Sequence, residues 1–253
     1  MQLRIYLAGG IIAEYGGAVF IRDADLRGRQ ARLAFAYLVC ERGRSVARSD
    51  LAQVLWPDQL PAAFESGLNA IISRIRSAVR RIPMPEQLVR LDSTFGQVRL
   101  SLPGNAWVDL DASTIALDEA ESAVRAGQTR RAFGPAAVAA TITRRPFLPD
   151  DDCEWAVEKR QKLRRQCQRA LGCLTEVWLA CGEPNLAVEA ADEAVALDPY
   201  RETAHRLLMR AHAAAGNRSE ALMVYARLRE TLAREVGTDP ARETESLYLE
   251  LLS

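Results

Sequence analysis

Two near-copies late in the chain limit its fold more than any other feature. One occupies residues 178–200, WLACGEPNLAVEAADEAVALDPY, and the other residues 210–234, RAHAAAGNRSEALMVYARLRETLAR. Gly182 superposes on Gly216, Ala187 on Ala221 and Ala194 on Leu228, each pair 34 residues apart. Each copy reads as two helices about a glycine turn. Neither helix can bury its apolar face alone, so neighbouring pairs must stack into one curved core. Such an array is a surface that holds a partner and carries no chemistry of its own. What the chain does then depends on what stands in front of it.

A period of 34 is that of tetratricopeptide helical hairpins. The pattern is helical throughout from Asp109. Residues 115–126 and 130–142 predict a first hairpin. Residues 153–181 form a long stretch with Trp155, Leu163, Leu171, Leu174 and Trp178 in rough heptad-like spacing. Leu197-Asp198-Pro199-Tyr200 is the stop before the next repeat, and residues 240–252 are expected to cap the array. The basic run 159–169 reads as a solvated helix face, against the sharper alternative of a contact with DNA backbone or an acidic partner. The Asp150-Asp151-Asp152 run is expected to serve the start of the helix behind it through the dipole. His205 and His212 read as packing residues rather than catalysts.

The front third has a different rhythm. Residues 3–7 (LRIYL) and 19–21 have strand character and are split by Gly9, Gly10, Gly16 and Gly17 as turn material, which predicts a short antiparallel sheet. A helix follows over 29–43, with Leu33, Ala36, Tyr37 and Cys40 at helical spacing. A shorter one starts at Ser49 and Asp50, buries Leu51, Val54 and Leu55, and stops at Pro57. The third, over 62–81, places Leu68, Ile72, Ile75 and Val79 in one core stripe. Gly67 lies inside it at a cost of about 1 kcal/mol. After Pro83 and Pro85 come strands 88–91 and 98–102, joined by the turn-rich 92–96. Three helices with the last one long, then a β-hairpin, is the order of a winged helix.

Net charge is zero overall, but the halves differ. Residues 1–104 carry 14 basic side chains against 9 acidic ones, a net of +5, and all 14 are Arg. Residues 105–253 carry a net of −5. Arginine favours planar, bidentate contacts over diffuse charge. On the third helix Ser66, Asn69, Ser73, Arg76 and Arg80 line the side away from the core stripe, flanked by Arg74 and Arg81, with no Asp or Glu after Glu65. In a major groove Arg pairs bidentately with guanine and Asn with adenine, while flanking Arg neutralises phosphates. The hairpin carries Ser93 and Thr94 at its tip and Arg90 and Arg99 on its arms, placed to reach the neighbouring minor groove or backbone. Because the groove-facing residues are small, shape readout is expected to matter more than direct contacts.

Other chemistry finds no support. There is no GxxxxGK[ST], GxSxG, HExxH or calcium-loop pattern, and the paired glycines near the N-terminus open no helix. Five cysteines without a CxxC pair and only two histidines make a metal site improbable and fit reduced thiols in a cytoplasmic setting. No signal peptide or 18-residue apolar span is present, so neither export nor a membrane is expected. The expectation is a protein without catalytic residues, cofactor or metal.

Several stretches resemble a known family. RSDLAQVLWPD at 48–58 resembles the second helix, and ISRIRSAVRR at 72–81 the end of the recognition helix, of OmpR-type winged-helix domains. GQVRLSLP at 96–103 resembles their wing, with Gln97-Val98 where Tyr is usual. WVDLDA at 107–112 resembles the start of the bacterial transcriptional activator domain, and 201–252 is similar to its C-terminal half almost position by position. Together they resemble SARP-type regulators. The resemblance implies a mostly α fold: an OmpR-type winged helix-turn-helix over 1–104, then an all-α, tetratricopeptide-like activator domain over 105–253. It implies a transcriptional regulator, usually an activator, that binds double-stranded DNA at direct repeats near promoters and contacts RNA polymerase. The family's Arg pair falls on Arg74 and Arg76 and its wing Arg on Arg99. A homodimer on tandem half-sites is compatible with this. With nothing after Ser253 resembling the extensions of larger relatives, the input is expected to be abundance, a partner or a ligand. The alternative is a protein–protein adaptor whose winged helix no longer binds DNA.

Overall fold

The computed structural model describes residues 1–253. The chain is mostly helical, and its contacts divide it into two compact units. Unit one comprises Met1–Ala112 and Arg145–Lys162; unit two comprises Ser113–Arg144 and Leu163–Ser253.

Unit one opens with an antiparallel meander of β1 (Leu3–Tyr6), β2 (Ile12–Tyr15) and β3 (Ala18–Arg22). Leu3 and Ile5 are buried while Arg4 is exposed, the alternation of a strand with one covered face. Gly16 and Gly17, both at positive φ, close the β2–β3 turn in two residues. That is the backbone a tight hairpin needs. β2 lies where the sequence offered only turn material, because the five residues between the glycine pairs give too little alternation to mark a strand.

Helix α1 (Arg29–Cys40) is shorter than expected and buried on almost every side, from Leu33 through Val39. It touches α2 (Arg48–Leu55), α3 (Phe64–Val79) and the hairpin. A two-residue strand, β4 (Val46–Ala47), precedes α2. The α3 stripe is as the spacing predicts: Leu68, Ile72, Ile75 and Val79 are buried, joined by Ile71 and Ala78. The hairpin differs from its expected bounds. β5 (Arg90–Thr94) and β6 (Gln97–Ser101) pair with Leu91 opposite Leu100 and Thr94 opposite Gln97. The turn is therefore only Phe95-Gly96, and Ser93 and Thr94 belong to a strand rather than to the tip. With β4 the second sheet has the order β4-β6-β5.

A further strand, β7 (Trp107–Val108), runs parallel to β1, with Arg4 opposite Trp107, and extends the first sheet to β3-β2-β1-β7. The next residue, Asp109, is buried. Its carboxylate accepts from the backbone N–H of Leu7 and Ala8, both at 2.9 Å, and of Leu110 at 2.8 Å. Burial raises its pKa against the pull of these three donors. Residues 145–162 return to the same unit. Gly9 N–H donates to Pro146 O at 2.7 Å, and Trp155 packs on Tyr37 and Phe147. The division in contacts thus does not coincide with a cut along the chain at 104/105.

Within this returning segment the aspartates do something other than start a helix. Asp151 is buried and accepts from Arg29 Nε at 2.5 Å; Asp152 pairs with Arg160 at 3.2 Å. The basic run keeps an exposed face, with Lys162, Arg164, Arg165 and Arg169 open to solvent, but three of its arginines are also tied down. Arg160 donates to Leu148 O and Asp151 O, and in unit two Arg164 donates to Leu197 O and Arg169 grips Glu121 with two 2.7 Å bonds.

Helices α4 (Asp109–Arg125) and α6 (Glu154–Cys181) begin among unit-one residues and continue into unit two. There α4 and α5 (Thr129–Thr143), α6 and α7 (Pro184–Leu197), and α8 (Glu202–Ala214) and α9 (Arg218–Glu235) are successive hairpins, followed by α10 (Arg242–Leu252). The repeat has a common end. Gly182 and Gly216 sit at φ 76° and 77°, and beyond each the next N–H reaches back: Glu183 to Trp178 O and Asn217 to His212 O, both 2.9 Å. This is the Schellman closure, which favours glycine at its left-handed position. The core is alanine-rich, with Ala116, Ala120, Ala136, Ala139, Ala140 and Ala170 around Leu117 and Leu171, and small side chains let the helices approach closely. At the far end Tyr225 stacks on Tyr248 at 4.2 Å, and the Glu202 carboxylate accepts from Ala241 N–H and from the buried Thr244 hydroxyl.

Candidate nucleic-acid interface

The outward face of α3 is a consequence of its core stripe. Once Leu68, Ile71, Ile72, Ile75, Ala78 and Val79 are inward, Ser66, Asn69, Ala70, Ser73, Arg74 and Ser77 are left exposed. Gly67 lies beside Trp56, where an added Cβ would meet the indole at 3.5 Å, an ordinary contact.

One residue that sequence reasoning passed over organises this face. Arg48, the first residue of α2, has a largely buried side chain that reaches three elements. It donates to Glu65 at 2.7 Å and Asn69 Oδ1 at 2.8 Å on α3, and to Ser93 Oγ at 3.0 Å on β5. Its backbone N–H donates to Gly96 O at 2.9 Å. Asn69 and Ser93, picked separately from the sequence, are therefore held together by one guanidinium. Arg48 stands within the RSDLAQVLWPD stretch, so the signal was present but was read as a helix start.

The other sequence-selected residues are distributed along α3 and the hairpin. Ser66 Oγ donates back to Ala63 O, while Ser73 is exposed. Arg74 donates to Arg27 O at 3.1 Å. Arg76 is half-buried and its Nε donates to Leu91 O at 3.1 Å, so it supports the hairpin from below. Arg80 pairs with Glu86 at 3.5 Å, Arg81 with Asp25 at 2.9 Å and Arg90 with Asp92 at 2.8 Å. The Arg81 hydrogen bond holds the Asp25 carboxyl below its ordinary pKa. Thr94 and Arg99 are exposed, and Arg99 lies across the ladder from Asp92. A cleft of about 410 Å³ runs between the C-terminal half of α3 and β5, lined by Arg76, Arg80, Arg90 and Ser93.

The second residue that was missed is Phe95, fully exposed at the hairpin tip with φ 51°. Its partner Gly96 has φ 73°, so both turn positions are left-handed. The β2–β3 turn meets the same demand with two glycines. A bulky residue in this region stores strain of about 1 kcal/mol or more.

No group of His, Cys, Asp and Glu is placed to hold a metal ion. His205 is buried with Nε2 2.8 Å from Pro199 O, and burial lowers its pKa. No helix is long and apolar enough to cross a membrane.

The chain thus combines a helix with a polar exposed face, pinned to a hairpin, with a series of stacked helical hairpins. Residues 108–252 match the family model described as bacterial transcriptional activator domain. The chain belongs to that family, as its resemblance to SARP-type regulators implied. Its relatives are named regulators. It is 26% identical over 222 residues to the transcriptional regulatory protein MoaR1 of Mycobacterium tuberculosis, covering 87% of this chain and 71% of that protein. It is equally similar to EmbR of the same organism, of which it spans 57%. The regulatory protein AfsR of Streptomyces coelicolor is 27% identical over 230 residues, covering 88% of this chain and 22% of that protein. A solved structure of Mycobacterium tuberculosis EmbR in complex with a low-affinity phosphopeptide has the same fold, with a TM-score of 0.86 at 24% identity. It covers 99% of this chain and 65% of that one.

Proposed function

We propose that this chain is a sequence-specific DNA-binding transcriptional regulator of the activator kind, whose residues 1–104 act as an OmpR-type winged helix. The observation that carries the reading is the Arg48 junction, which fixes the exposed face of α3 and the β5–β6 hairpin as one surface. In this reading α3 lies in a major groove, presenting Ser66, Asn69 and Ser73 to base edges. Arg74, Arg80, Arg81, Arg90 and Arg99 meet phosphates, and Arg48 and Arg76 position the two elements. The partner of Arg80 is an exposed carboxylate and those of Arg81 and Arg90 are half-exposed, and solvent-accessible pairs of that kind are worth about 1 kcal/mol or less. A phosphate can replace them at little cost. The helical hairpins over 105–253 hold RNA polymerase or a second copy on tandem direct repeats.

The test is selection of duplexes from genomic DNA at about 150 mM salt, followed by affinity against salt concentration. Each phosphate contact adds about 0.9 to the slope of log affinity against log salt on B-DNA. A recovered pair of direct repeats with a steep slope supports the reading. Arg74→Ala is expected to flatten the slope by about one contact. The adaptor reading draws on the same intramolecular pairing of Arg74, Arg76, Arg80, Arg81 and Arg90, and it gains if no duplex is retained.

A further inference from the structure

The hairpin tip combines three observations that the reading of α3 leaves unused. Phe95 is fully exposed, its backbone is left-handed, and the turn that carries it is held rigidly. Rigidity comes from both sides of the ring: Gly96 O accepts from Arg48 N–H at 2.9 Å, and Ser93 Oγ accepts from the Arg48 side chain at 3.0 Å. The same guanidinium holds Asn69 at 2.8 Å, so the ring is displayed on the surface that contains the face of α3.

The surroundings of the ring select its occupant. Its neighbours, Gly96 in the turn and Thr94 and Gln97 at the strand ends, are polar or small and exposed, with Arg99 two residues further along the same face of β6. The nearby carboxylates are already engaged, Glu65 by Arg48 and Asp92 by Arg90. A protein-binding hot spot needs an apolar patch around its aromatic anchor. A solitary ring among hydrogen-bond donors suits a base step flanked by phosphates, which is how apolar wedges enter and kink duplex DNA.

We propose that Phe95 is a wedge that inserts at a base step of duplex DNA next to the segment faced by α3, with Arg99 on the adjoining backbone. The inference rests on the DNA-binding reading above. It adds that the bound duplex is bent or unstacked at one point. Flexible pyrimidine–purine steps are the preferred place, so specificity there arises from deformability rather than from hydrogen bonds.

The test uses the whole chain and duplexes of about 30 base pairs that the wild type selects from a random pool. They are labelled at both ends for bend measurement and carry 2-aminopurine at candidate steps. Phe95→Asn suits the turn, because Asn-Gly is the favoured pair at two left-handed positions. The variant is expected to melt no lower than wild type, yet to bind about tenfold more weakly, the size of one lost aromatic–base stack. It should also lose the bend and the 2-aminopurine signal at saturation. Arg99→Ala should weaken binding while the saturated complex stays bent. If Phe95→Asn binds and bends DNA as wild type does, or if the wild-type complex is neither bent nor unstacked, the wedge is refuted and DNA binding stands. If the wild type selects no duplex even at about 50 mM salt, both readings fall together.

Discussion

Replacing Arg48 by Ala removes the tie between α2, α3 and the hairpin, and its cost can be worked from the contacts. The pair with Glu65 is partly open, with 57% of the Glu65 side chain exposed, and contributes at most about 1 kcal/mol. The bonds to Asn69 and Ser93 come from a charged donor that is only 15% exposed, at about 1–1.5 kcal/mol each. Bonds from one guanidinium are coupled and do not add, so the expected loss is about 2 kcal/mol. The backbone bond from residue 48 to Gly96 O survives the change. The loss should therefore appear as local opening of the hairpin rather than as global unfolding. The assay is hydrogen exchange followed by mass spectrometry. Amides of residues 90–101 should exchange roughly thirtyfold faster, the equivalent of about 2 kcal/mol. Amides of α8 and α9 serve as an internal control. Arg48→Lys should recover little, because an ammonium cannot span three acceptors in a fixed fork. Hairpin protection within threefold of wild type in the Ala variant would refute the role given to this residue.

Three further outcomes are expected. Gly67→Ala should stabilise unit one by about 0.5–1 kcal/mol, because the added Cβ meets Trp56 at an ordinary 3.5 Å and the helix loses its least favourable interior residue; a lower melting temperature would show that the indole cannot accept the methyl. Glu202→Ala should cost about 2 kcal/mol and loosen α10, since the carboxylate accepts from Ala241 N–H and the buried Thr244 hydroxyl; unchanged proteolysis of residues 242–252 would count against this. Burial lowers the pKa of His205 below its ordinary 6.5, despite the opposing pull of Pro199 O, Glu202 and Asp198. The unfolded chain then binds the proton more readily, so unit-two stability should fall as pH drops below about 6.5. His205→Gln should flatten that dependence, and an equal pH slope in both proteins would assign it to other groups.

The α3 stripe and the 34-residue repeat were legible because each is a long periodic signal. Leu68, Ile72, Ile75 and Val79 fix one helix face, and Gly182 and Gly216 occupy the same closure twice. The short strands were not legible. β2, β4 and β7 contain four, two and two residues, too few for alternation to show, and the pairing of β4 with β6 and of β7 with β1 depends on residues far away in sequence. The hairpin turn was placed too wide because Asp92, Ser93 and Thr94 have turn composition; only the positive φ of Phe95 and Gly96 locates it. Arg48 was read locally, as part of a helix start, while its partners lie 17, 21 and 45 residues away. Charge composition marked the basic run at 159–169 but was silent on the carboxylates and carbonyls that hold Arg160, Arg164 and Arg169.

The strand β7 has a practical consequence for anyone who divides this chain. The family match begins at residue 108, within the two residues that complete the sheet beside β1. A fragment cut at residue 104 would leave one side of β1 without its neighbour. It would also remove the Asp109 carboxylate from the N–H groups of Leu7 and Ala8, and Phe147 and Trp155 from the hydrophobic surface they cover. An uncovered strand edge is a template for pairing with another chain. The severed piece should therefore self-associate, and its DNA affinity would describe aggregates. Cutting at 162 instead would keep unit one whole but strip residues 113–144 of the core that Leu117, Ala136 and Ala140 share with Leu171 and Leu174, so the face of α3 is best measured on the whole chain.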